Sequence, residues 1–298
     1  MRDDTPERFM SRGKAHSMRR FLRQILLSAL SLSLSSPLLA QSYGQVKGMN
    51  ERFRMDFGGF LQDFSTTLTI DPKNGSGTEI SLEDDFGYDT RKTSFRTDGY
   101  WRFGPRGRID FAYTTFRRSS SHVLDRDFVI GDKTYHAGAA LDSSARMDVG
   151  ELYYEYSFLN TGEAEVGAMI GVSSFFTRFD FEGTATVSGS GGSQSASIQT
   201  ESSDLVVPVP AVGLDFRYTL LPGFLAEGRV KYMKATISDY TGSMLDWRAG
   251  LDYYFTPNFG IGAAWASTDI DVTKHRDDGD ISFEYKYNGP IGYVSIAF

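Results

Sequence analysis

The 298-residue sequence predicts an all-β fold: a single antiparallel up-and-down transmembrane β-barrel of about ten strands, with eight as the alternative. Three observations lead there. Hydrophobicity alternates with a period of two from about residue 52 onward. Tight and long connections alternate along the same stretch. After the first forty residues, no segment approaches the ~20 consecutive apolar residues that a spanning helix needs, so any membrane insertion must be by strands.

The strands follow in order. The first, 52–70, carries Arg54 and Asp56 on its polar face. In the second, 92–104, Phe95, Thr97, Gly99, Trp101 and Phe103 alternate with Ser94, Arg96, Asp98, Tyr100 and Arg102. Gly104-Pro105-Arg106-Gly107 turns the chain into the third, 107–120, where Ile109, Phe111 and Tyr113 oppose Arg108, Asp110 and Ala112. The fourth, 144–158, sets Leu152, Tyr154, Tyr156 and Phe158 against Glu151, Tyr153 and Glu155. Past Asn160-Thr161-Gly162, the fifth (164–182) sets Val166, Ala168, Ile170 and Val172 against Glu165, Gly167, Met169 and Gly171.

The sixth, 204–220, opposes Val212, Leu214, Phe216 and Tyr218 to Asp215 and Arg217. After Leu221-Pro222-Gly223 the seventh, 223–238, opposes Ala226, Gly228, Val230 and Tyr232 to Glu227, Arg229 and Lys231. The eighth, 242–256, opposes Leu245, Trp247, Ala249, Leu251, Tyr253 and Phe255 to Asp246, Arg248 and Asp252. Pro257-Asn258 leads to the ninth, 258–271, and the tenth is 282–298.

Alternation alone fits a soluble sandwich as well as a membrane barrel, because both have one apolar face. Two features separate them. Connections near 71–91, 121–144, 183–204 and 272–281 are long and polar, while those at 104–107, 159–164, 221–223 and 256–258 are tight; only the one near 239–242 departs from the pattern. Aromatic residues also gather at strand ends (Trp101, Phe103, Tyr156, Phe158, Tyr253, Phe255), as in an interfacial girdle. In a barrel the charges line the lumen. The candidate lumen network is Arg54, Asp56, Arg96, Asp98, Arg102, Arg108, Asp110, Glu151, Glu155, Asp215, Arg217, Glu227, Arg229, Asp246, Arg248 and Asp252. Ten strands enclose a narrow bore, so these acids and bases are expected to pair across neighbouring strands; left buried and unpaired, each would cost several kcal/mol.

The start of the chain reads as a secretory leader. Arg19, Arg20 and Arg23 precede the apolar run Ile25–Leu34, and Ser36-Pro37-Leu38-Leu39-Ala40 supplies a small-residue exit. Residues 1–40 are therefore expected to be a signal peptide, with Met18 as an alternative start, 41–51 a periplasmic segment and 52–298 the barrel. The leader holds 7 Lys+Arg and 3 Asp+Glu, which leaves 24 basic and 35 acidic residues, near −11. That balance argues against nucleic acid as a partner. The absence of Cys excludes disulfides, thiolate metal sites and a cysteine nucleophile.

The last strand, Tyr287-Asn288-Gly289-Pro290-Ile291-Gly292-Tyr293-Val294-Ser295-Ile296-Ala297-Phe298, points Val294, Ile296 and Phe298 to one side. It resembles the C-terminal signature of bacterial outer-membrane β-barrel proteins. The resemblance implies that these three residues face lipid and are read by the barrel-assembly machinery. Thr78-Glu79-Ile80-Ser81-Leu82-Glu83-Asp84-Asp85-Phe86-Gly87-Tyr88 and Thr97-Asp98-Gly99-Tyr100-Trp101-Arg102-Phe103 resemble small outer-membrane barrels of the opacity-protein, OmpX and OmpW type. This implies fold and location in the bacterial outer membrane, with membrane lipid and lipopolysaccharide as surroundings. It implies no activity.

Candidate chemistry is sparse. In strand number the chain resembles omptin-like proteases, which need outer-rim acids and an Asp-His pair. Glu83, Asp84, Asp85, Asp125 and Asp127 supply acids, and His122, His136 and His275 are the histidines after the leader. His122 beside Ser119-Ser120-Ser121 raises a hydrolase of the lipid-deacylase kind, but triad partners must meet in space. The reading here is that all three histidines are solvated loop residues. Glu83, Asp84, Asp85, Asp277, Asp278 and Asp280 could in principle hold a hard cation but show no ordered ligand spacing, so a solvated charged rim is expected, with no metal or cofactor. Gly183–Ser203 is rich in Ser and Gly and is expected to be a mobile loop. The expectation is a monomeric outer-membrane barrel without catalysis, with a structural or surface-interaction role; the alternatives are a small passive pore and, more distantly, an outer-rim hydrolase.

Overall fold

The computed structural model describes Met49 and residues 51–298, apart from 74–76, 124, 126–127, 131–132, 136–137, 139, 190–191, 200–202 and 278. The expected leader lies outside the described residues, as do His136, Asp127 and Asp278.

Fourteen strands are present: β1 (Phe53–Pro72), β2 (Thr78–Ser81), β3 (Arg91–Arg102), β4 (Gly107–Val123), β5 (Phe128–Ile130), β6 (Lys133–Tyr135), β7 (Ala140–Asn160), β8 (Ala164–Gly189), β9 (Gly192–Gln199), β10 (Ser203–Leu221), β11 (Phe224–Ile237), β12 (Tyr240–Tyr254), β13 (Phe259–Arg276) and β14 (Gly279–Ala297). Ten of them close a ring in the order β1-β3-β4-β7-β8-β10-β11-β12-β13-β14, every neighbour antiparallel. The other four are accessories on the connections at one end: β2 pairs with β1, β5 with β6, β6 with β8 and β9 with β8. The fold is thus a closed ten-stranded antiparallel barrel. Closure removes the sheet edges that an open sheet would leave unpaired.

The seam is β1 against β14, from Arg54↔Ala297 to Pro72↔Gly279. Phe298 extends it. Its carbonyl accepts from Arg52 N at 2.6 Å and Phe53 N at 3.0 Å, and its N–H donates to Phe53 O at 2.8 Å.

The connections differ at the two ends, as the sequence predicts, but the long-loop end is more regular than expected. β13 runs on to Arg276 and β14 begins at Gly279, the two paired Arg276↔Gly279, instead of ending before a long loop at 272–281. Gly183–Ser203 is likewise not an irregular loop: β8 continues to Gly189 and returns as β9, from Glu182↔Gln199 to Gly189↔Gly192. A ladder needs only backbone N–H and C=O groups, so Ser- and Gly-rich text can pair when the preceding strands set its register. The short connection at Ser238–Asp239 holds Ser238 at φ 52°, the positive φ that tight hairpins use.

Side chains divide as a barrel worn inside out. Trp101, Phe103, Leu152, Phe158, Ile170, Leu214, Leu251 and Phe255 are each at least half exposed on the outer surface. Trp101, Trp247 and Phe259 do not meet in a dry interior; they are 53%, 38% and 48% exposed. A soluble protein rarely carries so large an apolar exterior.

Candidate functional site

Among the described residues, the lumen concentrates the buried charge. All sixteen residues of the expected network point into it, because each occupies the inward parity of its strand.

At the short-turn end, Tyr100 on β3 is the centre. Three guanidinium groups lie against its ring: Arg217 at 4.2 Å, Arg108 at 4.8 Å and Arg102 at 5.8 Å from the centroid. Its hydroxyl donates to Glu51, a buried residue just before β1. Arg102 reaches from β3 to Glu165 on β8 with two bonds of 2.8 Å. Arg108 on β4 binds Asp110 at 3.0 Å, Glu155 on β7 at 2.5 Å and Asp215 on β10 at 2.7 Å. Such charge-assisted contacts are the strong kind.

One step further in, Arg229 on β11 binds Asp110 and Asp215, each at 3.0 Å. Arg248 on β12 reaches Asp98 on β3 and Glu227 on β11, each at 3.0 Å. Arg54 on β1 binds Asp56 at 2.9 Å, Asp252 at 3.0 Å and Glu227 at 3.4 Å. Above them Arg96 holds Asp98 at 2.6 Å and lies 3.7 Å from Glu151, while Lys231 takes Glu151 and Asp246, the latter at 2.9 Å.

The expected pairing between neighbouring strands is therefore only part of the pattern. Arg108–Glu155 and Lys231–Asp246 are adjacent register partners, but Arg102–Glu165, Arg229–Asp110 and Arg248–Asp98 span the bore. Arginine's long fork makes this possible in a narrow barrel. A cavity of about 20 Å³ lies among Arg54, Asp98, Tyr100, Arg217 and Arg229, room for about one water molecule.

Above the ionic tiers the bore is filled by rings that the sequence reading did not assign to it. Phe64 meets Phe116 edge-on at 5.9 Å, Phe116 meets Tyr287 at 5.2 Å, and Tyr285 and Phe60 complete the cluster. Tyr285, Tyr287 and Ile291 recur at every other or every fourth position of β14, so their inward parity was available as a signal; aromatic residues on both faces obscured it.

Toward the long-loop end, the segment after β2 packs onto inward-facing residues of β1 and β4. Glu83, from the turn after β2, is buried rather than part of a solvated rim. It accepts from Thr66 N at 2.8 Å, Thr66 Oγ1 at 2.9 Å and Arg118 Nη2 at 2.5 Å. Arg118 lies between the rings of Phe64 (4.6 Å) and Tyr88 (5.1 Å) and donates to Asp89 O at 3.1 Å. Gly87, at φ 66°, lets this loop pass His122; a Cβ there would stand 2.8 Å from His122 Nδ1. Asp85 is also engaged, accepting from Ser81 N at 2.8 Å.

Two histidines are not loop residues. His122 ends β4, with Nε2 3.7 Å from Asp125. Ser120 turns its hydroxyl to Phe86 O instead. His275 sits on β13, with Nδ1 3.1 Å from Asp280 Oδ2 and Nε2 3.2 Å from Thr241 Oγ1. Strand extension beyond the expected loop brings these three together on the exposed rim. Among the described residues no group of three His, Asp or Glu is arranged to hold a metal ion.

No protein-family model matches the chain, and no curated protein sequence matches it. Solved structures do. The outer membrane protease OmpT of Escherichia coli superposes with a TM-score of 0.54 at 14% identity, over 83% of this chain and 96% of that one. The translocator domain of the autotransporter NalP of Neisseria meningitidis gives 0.39 at 11%, over 96% and 98%. The outer membrane protein OprG of Pseudomonas aeruginosa gives 0.33 at 13%, over 83% and 97%. At these identities the likeness is one of fold. The chain is a closed ten-stranded antiparallel β-barrel with the architecture of small bacterial outer-membrane barrel proteins.

Proposed function

We propose that the chain is a monomeric resident of the bacterial outer membrane, with a closed lumen and a structural or surface-interaction role. The observation that carries this reading is the fill of the bore: ion pairs crossing it in successive tiers, then an aromatic cluster, then the Glu83–Arg118 pair. Opening a path would separate several buried pairs at once, each costing about 3–5 kcal/mol when one partner is lost.

The membrane location is supported by the apolar exterior and by the girdle of Trp101, Phe103, Tyr154 and Tyr156 beside the short turns. In this reading the short turns face the periplasm, lipid and lipopolysaccharide surround the barrel, and Val294, Ile296 and Phe298 serve the assembly machinery. We assign no catalytic role. His275 stands on the exposed edge between Asp280 and Thr241.

Planar-bilayer recording tests closure. The purified chain should give no stepwise current. A steady single-channel conductance would replace this reading by the passive pore, and Arg102→Ala and Arg248→Ala should then alter it.

A further inference from the structure

Arg217 on β10 is the most loosely held guanidinium of the lumen network. Its side chain is 2% exposed, and its one ion-pair contact among the described residues is Asp215 Oδ1, 3.5 Å from Nε. Arg54, Arg96, Arg102, Arg108, Arg229 and Arg248 each reach a carboxylate at 3.0 Å or closer. Asp215 is already engaged: its two oxygens accept from Arg108 at 2.7 Å and from Arg229 at 3.0 Å. The Tyr100 ring lies 4.2 Å from the Arg217 guanidinium carbon, but cation–π attraction is spread over the ring and satisfies no particular N–H. Arg217 Nε and Nη1 are buried without a hydrogen-bond partner, which is costly for a charged donor.

Arg217 lines the 20 Å³ cavity together with Arg54, Arg229 and Arg248, and further donors around it are unmet. Arg54 Nη1 and Nη2 and Arg248 Nε and Nη2 are also buried without a hydrogen bond. Carboxylate oxygens stand 3.0–3.4 Å from three of these four nitrogens, but off the N–H direction that a hydrogen bond needs. The acids of the lining are in the opposite state. None of Asp56, Asp98, Asp215 and Glu227 has an oxygen that is both buried and unpartnered. Around this cavity, then, the unmet groups are donors.

That asymmetry defines the occupant. It must accept hydrogen bonds from several sides at once. A water molecule has to donate as well as accept, whereas a monatomic anion only accepts. A volume of about 20 Å³ takes a single small particle, so sulfate and phosphate are too large. Four guanidinium groups and four carboxylates line the cavity, so the placement of donors, rather than a net positive field, selects the ion.

We propose that this cavity binds one monatomic anion, chloride in the cell, held by Arg217 Nε and Nη1 and closed in by Arg54 and Arg248. The ion joins β10 to β1 and β12 across the bore, where Arg217 makes no direct ion pair with either strand among the described residues. It is taken up as the ring closes, because ion pairs and the aromatic cluster fill the bore around it. The inference rests on the closed-lumen reading above.

The test refolds the full chain in detergent with sodium bromide as the only halide, and locates bromide in crystals by its anomalous scattering. One peak in the bore beside Arg217 is expected for the wild type and none for Arg217→Gln. A second readout needs no variant. The temperature at which heat-modifiable mobility is lost should rise saturably with chloride or bromide at constant ionic strength, as for a ligand that binds the folded state, and should not rise with gluconate. No peak in the bore, or bromide on the surface as an adventitious ion only, would assign the cavity to water and overturn the site. A peak kept in Arg217→Gln would overturn the assignment to Arg217, and an equal rise in gluconate would reduce the effect to general salt screening. Planar-bilayer recording keeps the two readings apart. A silent bilayer with no bromide in the bore removes the anion site alone, whereas a stepwise current removes the closed lumen and the trapped ion together.

Discussion

Arg108 on β4 and Asp215 on β10 meet at 2.7 Å across the bore, both fully sheltered from solvent, with Glu155 and Asp110 on the same guanidinium. One arginine thus ties three strands of the ring together. Removing it takes a cation from three buried carboxylates, of which Asp110 and Asp215 keep Arg229 while Glu155 loses its ion-pair partner. Arg108→Ala is expected to destabilise the barrel by about 3–5 kcal/mol, read as a lower urea midpoint for the loss of heat-modifiable mobility. An unchanged midpoint would mean the network is idle in stability.

Glu83 and Arg118 make a second, separable contact. Glu83→Gln should free the loop at 82–90 while leaving the ring intact, because that carboxylate touches the ring only through Thr66 on β1 and Arg118 on β4, outside the strand ladders. Limited proteolysis should cut this loop faster in the variant than in the wild type, with barrel mobility on gels unchanged. Equal cleavage rates would show that the loop is held by its other contacts, the Ser120 hydroxyl on Phe86 O and Arg118 on Asp89 O.

On the outer surface, Leu152 is half exposed and lies between Phe111 and Val172 in register. A charge there should cost about 2–4 kcal/mol if the wall faces hydrocarbon. Leu152→Arg is expected to lower folding yield into vesicles accordingly. If instead the wall faces water, the change will be nearly neutral.

Phe298 closes the seam by three backbone bonds to Arg52 and Phe53 and presents its ring outward. Deleting it should reduce the amount of assembled barrel in the membrane without changing synthesis. Phe298→Tyr should restore most of it, since the backbone bonds and an aromatic ring remain. Wild-type yield from the deletion would show that the terminus is dispensable.

The ring of strands was legible in the sequence because its signal is local: parity along a strand fixes which side chains share a face, and Gly-Pro or Pro-Asn pairs mark the turns. Arg54, Asp98 and Arg248 could be placed on one shared face on that basis, and the uneven connections and aromatic strand ends made that face the inside. Their partners could not. Arg102–Glu165 and Arg229–Asp110 join strands far apart in sequence, and only closure of the ring brings them together. Glu83 was misassigned to a solvated rim because its burial depends on β2 docking beside β1, which no period reports.

The inside-out arrangement itself is tested most directly by the three tryptophans, Trp101, Trp247 and Trp265, all of which are outward and 38–53% exposed. The chain should be folded into vesicles whose acyl chains carry bromine, and its fluorescence compared with that in unbrominated lipid and under aqueous acrylamide. Strong quenching by the brominated chains, with little by acrylamide, is the predicted result. Emission that acrylamide quenches and brominated lipid leaves untouched would contradict the account.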